Sequence, residues 1–444
     1  MKNFFLFAIT AIAVLGLNSC QNDDATADSS FAIKASGADY NAASLLPVQV
    51  VSGDITSDVT WTNDKVWVLS GVVRVKNNAT LTINPGTFIK ADPSITSGAN
   101  GVLVITKTGR INAVGTAQAP IVFTSYKLLD GNDTTTALPG DFGGVVLLGD
   151  AQVNTGSVTN IIEGLGDQPN PEDFYFGGSN NGHTAGSLKY VRIEFAGRVL
   201  PTEGENGVEI NGLTFGAVGS GTLVDYIQVS YGLDDSYEWF GGTVNAGHLI
   251  AFAQDDDGFD FDWGYTGTIE RAIAVANWKS THSTSSGSPD SNGIELDNNA
   301  GGTTVTPRTR PTVNYLSVFG VSSASDANVF ENAIHVRRAG RIGLNHSTVS
   351  GYNRGIFLDG ATTAGTFDNV GAHAFVTPTQ SPSALTGIVA TSTSNPAEKW
   401  GTTQPFYGPL DFTTGSRTNG AFATGDSAWI GSWAKFVDFE TIYE

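Results

Sequence analysis

The sequence contains little of several things that a chain of its length usually has. Its 444 residues include one Cys and one Met, and only 15% of them are charged. A single Cys excludes a scaffold built on disulfides, and the low charge excludes a coiled coil, which needs charged heptads. Basic residues are also few: the chain has 23 of them and 43 acidic residues. The net charge of -20 argues against nucleic acid or anionic lipid as a partner, because both would be repelled.

Glycine and short β-forming runs are plentiful instead. The chain has 54 Gly, and from Trp67 onward runs rich in Val, Ile, Thr and Phe are separated by Gly, Asn, Asp or Pro. Strands are predicted at Thr80 to Ile83 and at Val102 to Ile105, whereas helical periodicity is almost absent. A globular chain of this length would divide into several domains unless it formed an elongated repeat fold. We therefore expect an all-β body. An internal repeat of the sequence indicates which all-β architecture it has.

Two segments in the middle of the chain repeat each other. Residues 226–242 read YIQVSYGLDDSYEWFGG and residues 248–264 read HLIAFAQDDDGFDFDWG, and they align at an offset of 22 residues. The acidic pairs of the two turns coincide in this alignment: Asp234 with Asp256 and Asp235 with Asp257. A strand, an Asp-Asp turn and a second strand thus recur at the period expected of one β-helix coil. We predict a parallel β-helix, a solenoid whose loops project from one face.

The second strand of this unit can be followed through further copies, at residues 208–211, 237–240, 259–262, 294–297, 334–337 and 356–359. Because side chains alternate across a strand, the first and third residue of each quartet are predicted to lie in the core, and all of them are apolar. The second and fourth residues then form two outward columns. The first column is Glu209, Glu238, Asp260 and Glu295, and the second is Asn211, Phe240, Asp262 and Asp297.

The first of these columns would be strongly acidic. Neighbouring strands lie about 4.8 Å apart, and two like charges at that spacing repel by about 1 kcal/mol even in water. A bound cation, raised carboxylate pKa values or basic side chains must offset this repulsion. Calcium is the sharper interpretation, because it accepts six to eight oxygen ligands, and the turn residues Asp234, Asp235, Asp256 and Asp257 are its candidate ligands. The alternative is a solvated polar face with Asp in turns for its turn geometry.

The N-terminal residues resemble an export signal. An apolar run from Phe4 to Leu17 is followed by Asn18, Ser19 and Cys20, which resembles the lipobox of bacterial lipoproteins, and the acidic residues after Cys20 resemble the export signals of Bacteroidetes surface lipoproteins. The resemblance implies a lipidated Cys20 and a protein attached to the outer membrane only through this lipid, facing the cell exterior. We divide the chain into a signal peptide at 1–19, a lipidated tether at 20–45, the β-helix at 46–397 and a C-terminal cap at 398–444.

Two longer stretches carry a resemblance to known families. GVVRVKNNATLTINPGTFIKA and GRINAVGTAQAPIVFTS resemble the opening coils of bacterial right-handed β-helix proteins, the pectate-lyase-like fold. EINGLTFGAVGSGT and GAFATGDSAWIGSWAKF look like a widespread group of Bacteroidetes surface lipoproteins with this fold. We expect the cap to include Trp429 and Trp433, since a solenoid must protect its last open edge.

Two functions remain open at this point. The first is a non-catalytic surface module that binds an extracellular glycan or a partner protein. Its candidate ligand-binding residues are Glu209, Glu238, Asp260, Asp262, Glu295, Asp297 and His335. Repetition of the Asp-Asp turn favours this function, because an active site is usually a single departure from a repeat.

The second is an enzyme that acts on acidic polysaccharide, as pectate lyases and polygalacturonases do. Its candidate catalytic residues are Glu238, Asp260, Glu295 and Arg337. Carboxylates on adjacent coils would have the spacing of a retaining glycosidase, and a lyase would need a base such as Arg337.

Overall fold

The computed structural model describes residues 39–95, 98–132, 134–199, 210–277, 282–285, 287–321, 330–392, 419–423 and 429–436. Cys20 and Glu209 lie outside these ranges. The described residues contain one short helix, α1 (Tyr40–Ser44), and a 3-10 turn at Pro171–Phe174. No helix among them is long and apolar enough to cross a membrane.

Short strands make up the rest of the regular structure. They are β1 (Val48–Ile55), β2 (Val59–Trp61), β3 (Val66–Val75), β4 (Thr80–Ile83), β5 (Phe88–Ala91), β6 (Val102–Ile105), β7 (Arg110–Val114), β8 (Ile121–Thr124), β9 (Gly144–Leu148), β10 (Gly186–Glu194), β11 (Leu213–Gly216), β12 (Leu223–Ser230), β13 (Tyr237–Phe240), β14 (Ala246–Phe252), β15 (Phe259–Asp262), β16 (Thr268–Val275), β17 (Thr284–Ser285), β18 (Ser288–Pro289), β19 (Ile294–Leu296), β20 (Thr312–Phe319), β21 (Asn332–Val336), β22 (Arg341–Asn345), β23 (Thr348–Ser350), β24 (Arg354–Leu358), β25 (Ala364–Asp368), β26 (Val370–Ala374), β27 (Thr377–Gln380) and β28 (Ile388–Ser392).

These strands wind into a solenoid in which each coil pairs in parallel with the next. β13 pairs with β15 so that Tyr237 lies beside Phe259, which is the offset of 22 residues expected from the repeat. β12 pairs with β14, β14 with β16 and β16 with β20, always in parallel. The prediction of an all-β, right-handed parallel β-helix is therefore confirmed.

Each coil contributes to three sheets. Sheet one contains β9, β11, β13, β15, β19, β21, β24 and β27. Sheet two contains β4, β7, the first halves of β10, β12, β14, β16 and β20, and then β22 and β25. Sheet three contains β8, the second halves of the same long strands, and then β23, β26 and β28.

The corner between sheets two and three is a single residue with positive φ. The bend residues have φ between 49° and 60° and are Tyr190, Tyr226, His248, Arg271, Tyr315, His346 and Asn369. Such a conformation is unusual for a bulky side chain, so neighbouring coils must hold it in place. Stacking supplies that support, because the ring centroids of Tyr190 and Tyr226 lie 4.5 Å apart and those of Tyr226 and His248 lie 4.1 Å apart. None of these bend residues is Gly, so the sequence contains no glycine signal for the bend column.

The inward residues of sheet one form the centre of the core, as the alternation predicts. Tyr237, Trp239, Phe259 and Phe261 are all at most 1% exposed. Their rings stack from coil to coil, with centroids 5.2 Å apart for Tyr237 and Phe259 and 4.7 Å apart for Trp239 and Phe261. Stacked aromatic side chains of this size bury much apolar surface in a single column, which stabilises the register between coils.

One quartet of the sequence analysis has the wrong register. The strand that pairs with β13 is β11, with Thr214 beside Glu238, and it begins at Leu213 rather than at residue 208. Residues 208–211 and 213–216 both alternate apolar and small or polar side chains, so alternation alone fits either segment. Thr214 and Gly216 therefore take the places beside Glu238 and Phe240 in the two outward columns, and Asn211 precedes this strand.

Residues 419–423 and 429–436 lie along the flank of the coils, whereas Trp429 and Trp433 were expected to close the end of the helix. The Trp433 ring meets the rings of Tyr190 and Tyr226 edge to face, and the Trp429 ring lies 5.3 Å from that of His248. The outer face of sheet three is apolar in β14 and β16, so these tryptophans bury themselves there. A buried group formed by Tyr40, Glu194 and Arg192 ties α1 to the same face.

Candidate functional site

The acidic side chains of sheet one come together in the middle of the solenoid. Glu238, Asp260, Glu295 and His335 occupy equivalent places on β13, β15, β19 and β21 and form one outward column, which we call the acid column. Thr214 precedes the column and Phe357 follows it. The acidic stretch is thus three strands long and has neutral neighbours at both ends when the histidine is neutral.

The acid column points away from the core but is covered. Glu238 and Glu295 are each 6% exposed, although they lie on the outer side of the coil. Asn211 donates a hydrogen bond to Glu238 from the segment before β11, and Arg337 forms an ion pair with Glu295. The alternative of a simply solvated polar face therefore does not describe this surface.

The Asp-Asp turns lie at the edge of sheet one, next to the acid column. The backbone N–H of Asp257 donates to the Asp235 carboxylate at 2.8 Å, and that of Asn292 donates to the Asp257 carboxylate at 2.5 Å. Asn332 in turn donates its side-chain amide to Asn292 at 3.0 Å. We call these four residues the turn ladder. Asp fills the first two places and Asn the next two, and the side-chain oxygens of Asp235, Asp257 and Asn292 each accept a hydrogen bond from the next coil.

Asp235 also belongs to two groups of converging carboxylates. In one group it lies with Asp234 and Asp256, and in the other with Glu238 and Asp260; within each group the ligand atoms are all within 4.8 Å of one another. We call these five residues the acid hub. Asp257, the fourth turn candidate, belongs to neither group and serves the turn ladder.

The electrostatics of the hub reflect crowding of negative charge. Burial first, and then the neighbouring carboxylates, raise the pKa values of Asp235, Glu238 and Asp260 well above their ordinary range. One Asp260 oxygen, Oδ1, is buried without a hydrogen-bond partner, as is Glu295 Oε2 on the next strand. A buried, unpartnered carboxylate oxygen is costly unless a proton or a cation satisfies it. The hub therefore has the charge and the free oxygens that a cation needs.

The far end of the column carries basic side chains. Arg337 pairs with Glu295, with Asp297 at 3.0 Å and with Asp290 at 3.7 Å, and these carboxylates raise its pKa against the opposing effect of burial. Arg338 donates to Asp297 at 2.6 Å. The positive charge that the repulsion argument requires is thus supplied here by arginine.

A third group of possible ligands lies at this same end. It consists of Asp290, Glu295 and His335. Burial and the nearby arginines lower the pKa of His335 to about 4, and neither of its ring nitrogens has a hydrogen bond. Because Arg337 already contacts both carboxylates, this end is less suited to a cation than the hub is.

The second outward column has a different character. Phe240 lies beside Asp262 in sheet one. Asp297 is the next residue of this column, and its backbone N–H donates a hydrogen bond to the Phe261 carbonyl. Burial raises the pKa of Asp262 to about 7, although its carboxylate accepts the Trp263 N–H at 2.6 Å. Asp297 is committed to the two arginines.

Sequence reasoning missed some residues near the site. Glu163, from the long connection between β9 and β10, raises the pKa of Glu238, and Asp290 lies beside Arg337. Neither belongs to a repeated quartet, so periodicity gave no signal for them. The Arg337 ion pairs could have been anticipated, since it directly follows β21 in the second outward column.

Comparison with known proteins gives one match. No curated protein and no solved structure matches the chain. Residues 53–434 match the family described as the pectate-lyase like beta helix domain, a span that includes the acid hub and most of the described coils. With this match over most of its length, the chain belongs to the pectate-lyase-like β-helix family.

Proposed function

We propose that this chain is a lipid-anchored cell-surface protein that binds calcium at the acid hub and uses the surrounding face to bind an extracellular glycan. The observation that carries the proposal is the convergence of five carboxylates around Asp235, beside a buried Asp260 oxygen with no partner. Calcium takes six to eight oxygen ligands, so a hub of several carboxylates plus the oxygens of a glycan would complete its shell.

The charge of the protein supports a cation at this site. A glycan with carboxylates would be repelled by a chain of net charge -20 and by the acid column in particular. Calcium at the hub would reduce the local negative charge and offer coordination sites to the carboxylates of the glycan. Calcium therefore supplies both the stability of the face and its affinity for an acidic glycan.

The shape of the face supports a long ligand. The strands of sheet one pair in parallel from coil to coil, so their outward positions repeat along the axis of the solenoid. A polymer lying along the coils suits such a surface better than a small molecule does.

Two matched variants test the cation site. Asp235→Asn removes a carboxylate from the hub but keeps the oxygen that accepts the Asp257 N–H, as Asn292 does elsewhere in the turn ladder. Asp257→Asn makes the same change at a place outside the hub. We expect millimolar calcium to raise the Tm of the wild type and of Asp257→Asn, and to have little effect on Asp235→Asn. Equal Tm values in chelator and in calcium for the wild type would refute the cation site.

Glycan binding is tested with the same proteins. We expect retention on an immobilised polyuronate in calcium and release by chelator, with a neutral glucan as the control polymer. Asp235→Asn should not be retained, and Asp257→Asn should be. Calcium-dependent Tm without retention on any glycan would favour a partner protein as the ligand of this face.

A specific observation keeps catalysis as a second candidate. Burial raises the pKa of Glu295 to about 8, so a protonated carboxyl stands beside Asp260 on the adjacent strand near neutral pH. Glu295 could then serve as the acid in glycoside hydrolysis, and Asp260, whose own pKa is also raised by burial and by Glu295, could serve as the nucleophile once it has lost its proton. Arg337 is less suited to be a lyase base, because its raised pKa keeps the proton on it. Release of reducing ends from a polysaccharide panel, lost in Glu295→Gln, would favour hydrolysis over binding alone.

The anchor is tested independently of the site. Cys20 lies outside the described residues, so the proposal of lipidation depends on the run from Leu17 to Cys20. Metabolic labelling with a fatty-acid analogue should mark the wild type and not Cys20→Ala. Protection from protease added to whole cells would contradict the outward orientation.

A further inference from the structure

A second surface site lies on sheet two, away from the acid hub. Its cavity of about 310 Å³ is bordered by the start of β20 and by β22 and β25, and Arg310 and Arg341 both line it. The Arg341 N–H donates to the Thr309 carbonyl at 3.0 Å, which holds the two arginine-bearing segments side by side. Two guanidinium groups therefore border one small cavity.

The side chains of these two arginines have no partner in the part of the chain that the structure describes. Within the described ranges, every other arginine or lysine has a hydrogen bond, an ion pair or a ring contact, whereas the side chains of Arg310 and Arg341 have none of these. This is unexpected in a chain with 43 acidic and 23 basic residues, because most cations find an acid to pair with. Arg308 is a third cation nearby, and the Arg341 charge adds to burial in lowering its pKa.

The floor of the cavity is open because of a glycine. Thr312 lies beside Gly343, and Gly343 beside Thr366, on three successive strands. A Cβ atom placed at Gly343 would lie 3.4 Å from the Thr366 hydroxyl and 3.7 Å from the Thr312 hydroxyl. The Pro311 carbonyl oxygen also lies 3.7 Å from this position, so two hydroxyls that can donate a hydrogen bond and one carbonyl that can only accept border the space above Gly343.

We propose that this cavity, which we call the arginine cavity, is a binding site for an oxyanion group. Two arginine side chains and two threonine hydroxyls can donate hydrogen bonds to the oxygens of a carboxylate, sulfate or phosphate group. The volume is at the lower end of ligand pockets, so the site fits one small acid or one charged sugar unit. The anion can be a free ion or a group on a glycan, and the chemistry of recognition is the same.

The test uses the purified full chain in chelator, so that the acid hub plays no part. Sulfate, phosphate and glucuronate are titrated separately and followed by NMR or calorimetry, with glucose as the neutral control. We expect at least one of the anions to bind, glucose not to bind, and affinity to fall as salt rises. Arg310→Gln and Arg341→Gln should each weaken binding about tenfold, which is typical of losing a charged hydrogen bond.

Two further variants make the test specific. Gly343→Ala places a methyl group between the two threonine hydroxyls at ordinary contact distance, so it should fold and yet block the anion. Arg110→Gln removes the same charge from β7 in sheet two, several coils away, and should leave binding unchanged. Glucuronate binding would identify a carboxylate as the ligand group, and binding of sulfate or phosphate alone would identify an ester or free ion. No binding of any anion, or equal weakening by Arg110→Gln, would overturn the proposal.

Discussion

Raising the pH is predicted to destabilise the cation-free protein, because buried carboxyl groups must give up their protons. Burial raises the pKa of Asp262 to about 7 and that of Glu295 to about 8, from 3.8 and 4.5. A carboxyl whose pKa is raised by folding keeps its proton after the unfolded chain has lost it. Stability is therefore full at low pH and falls as pH rises from about 4 to the folded pKa values.

The expected size of the loss follows from the same pKa values. A tenfold change in proton affinity corresponds to about 1.4 kcal/mol, so the free energy of unfolding could fall by up to about 4 kcal/mol through Asp262 and about 5 kcal/mol through Glu295. Interacting carboxyls titrate together and their effects do not add, so we expect a total loss of about 3–5 kcal/mol between pH 5 and pH 8. Calcium at pH 8 should restore much of it by replacing the protons.

Urea unfolding followed by tryptophan fluorescence measures this loss. In chelator, the unfolding midpoint should decrease steadily at pH 5, 6.5 and 8, and the decrease should be smaller in Glu295→Gln, which cannot ionise. Glu172→Gln, an exposed acid on the long connection after β9, is the matched control and should follow the wild type. A midpoint that stays constant or rises from pH 5 to pH 8 in chelator would refute the reasoning.

Two predictions concern the flank of the solenoid. Trp433→Ala should lower the free energy of unfolding by about 3–5 kcal/mol, since it empties a buried site beside Tyr190 and Tyr226, and a urea midpoint like that of the wild type would contradict the packing described. Arg192→Ala should cost a similar amount, about 3–5 kcal/mol, because it leaves Glu194 buried without its cation. Recovery of part of that stability when Glu194→Gln is added to Arg192→Ala would distinguish the charge effect from lost packing.

Much of the fold could be predicted from the sequence, because the sequence repeats with the period of one coil. A repeat of 22 residues with alternating apolar side chains fits parallel coils and little else, and the pairing of Tyr237 with Phe259 follows from it. Alternation alone could not choose between residues 208–211 and 213–216, since both present the same pattern. The error moved Glu209 into a column where Thr214 lies.

The site was only partly predictable. Stacking of the quartets brought Glu238 and Asp260 together, but nothing in the repeat distinguished Asp235, which faces the hub, from Asp257, which serves the turn ladder. The C-terminal segment was misplaced because its partner is the outer face of sheet three. The runs LIAF and AIAV are apolar at every position, and strands of this kind are covered on both faces. These runs could therefore have indicated that another segment covers the outer face of sheet three.

A calorimetric calcium titration of the wild type at pH 7 tests the central claim most directly, namely that the acid hub around Asp235 binds calcium in place of protons. The titration is repeated in two buffers of different ionisation enthalpy, so that the difference in heat counts the protons released. The account predicts saturable binding with release of protons from the hub, and loss of both in Asp235→Asn but not in Asp257→Asn. Absence of binding, or binding that releases no protons and is unchanged in Asp235→Asn, would contradict it.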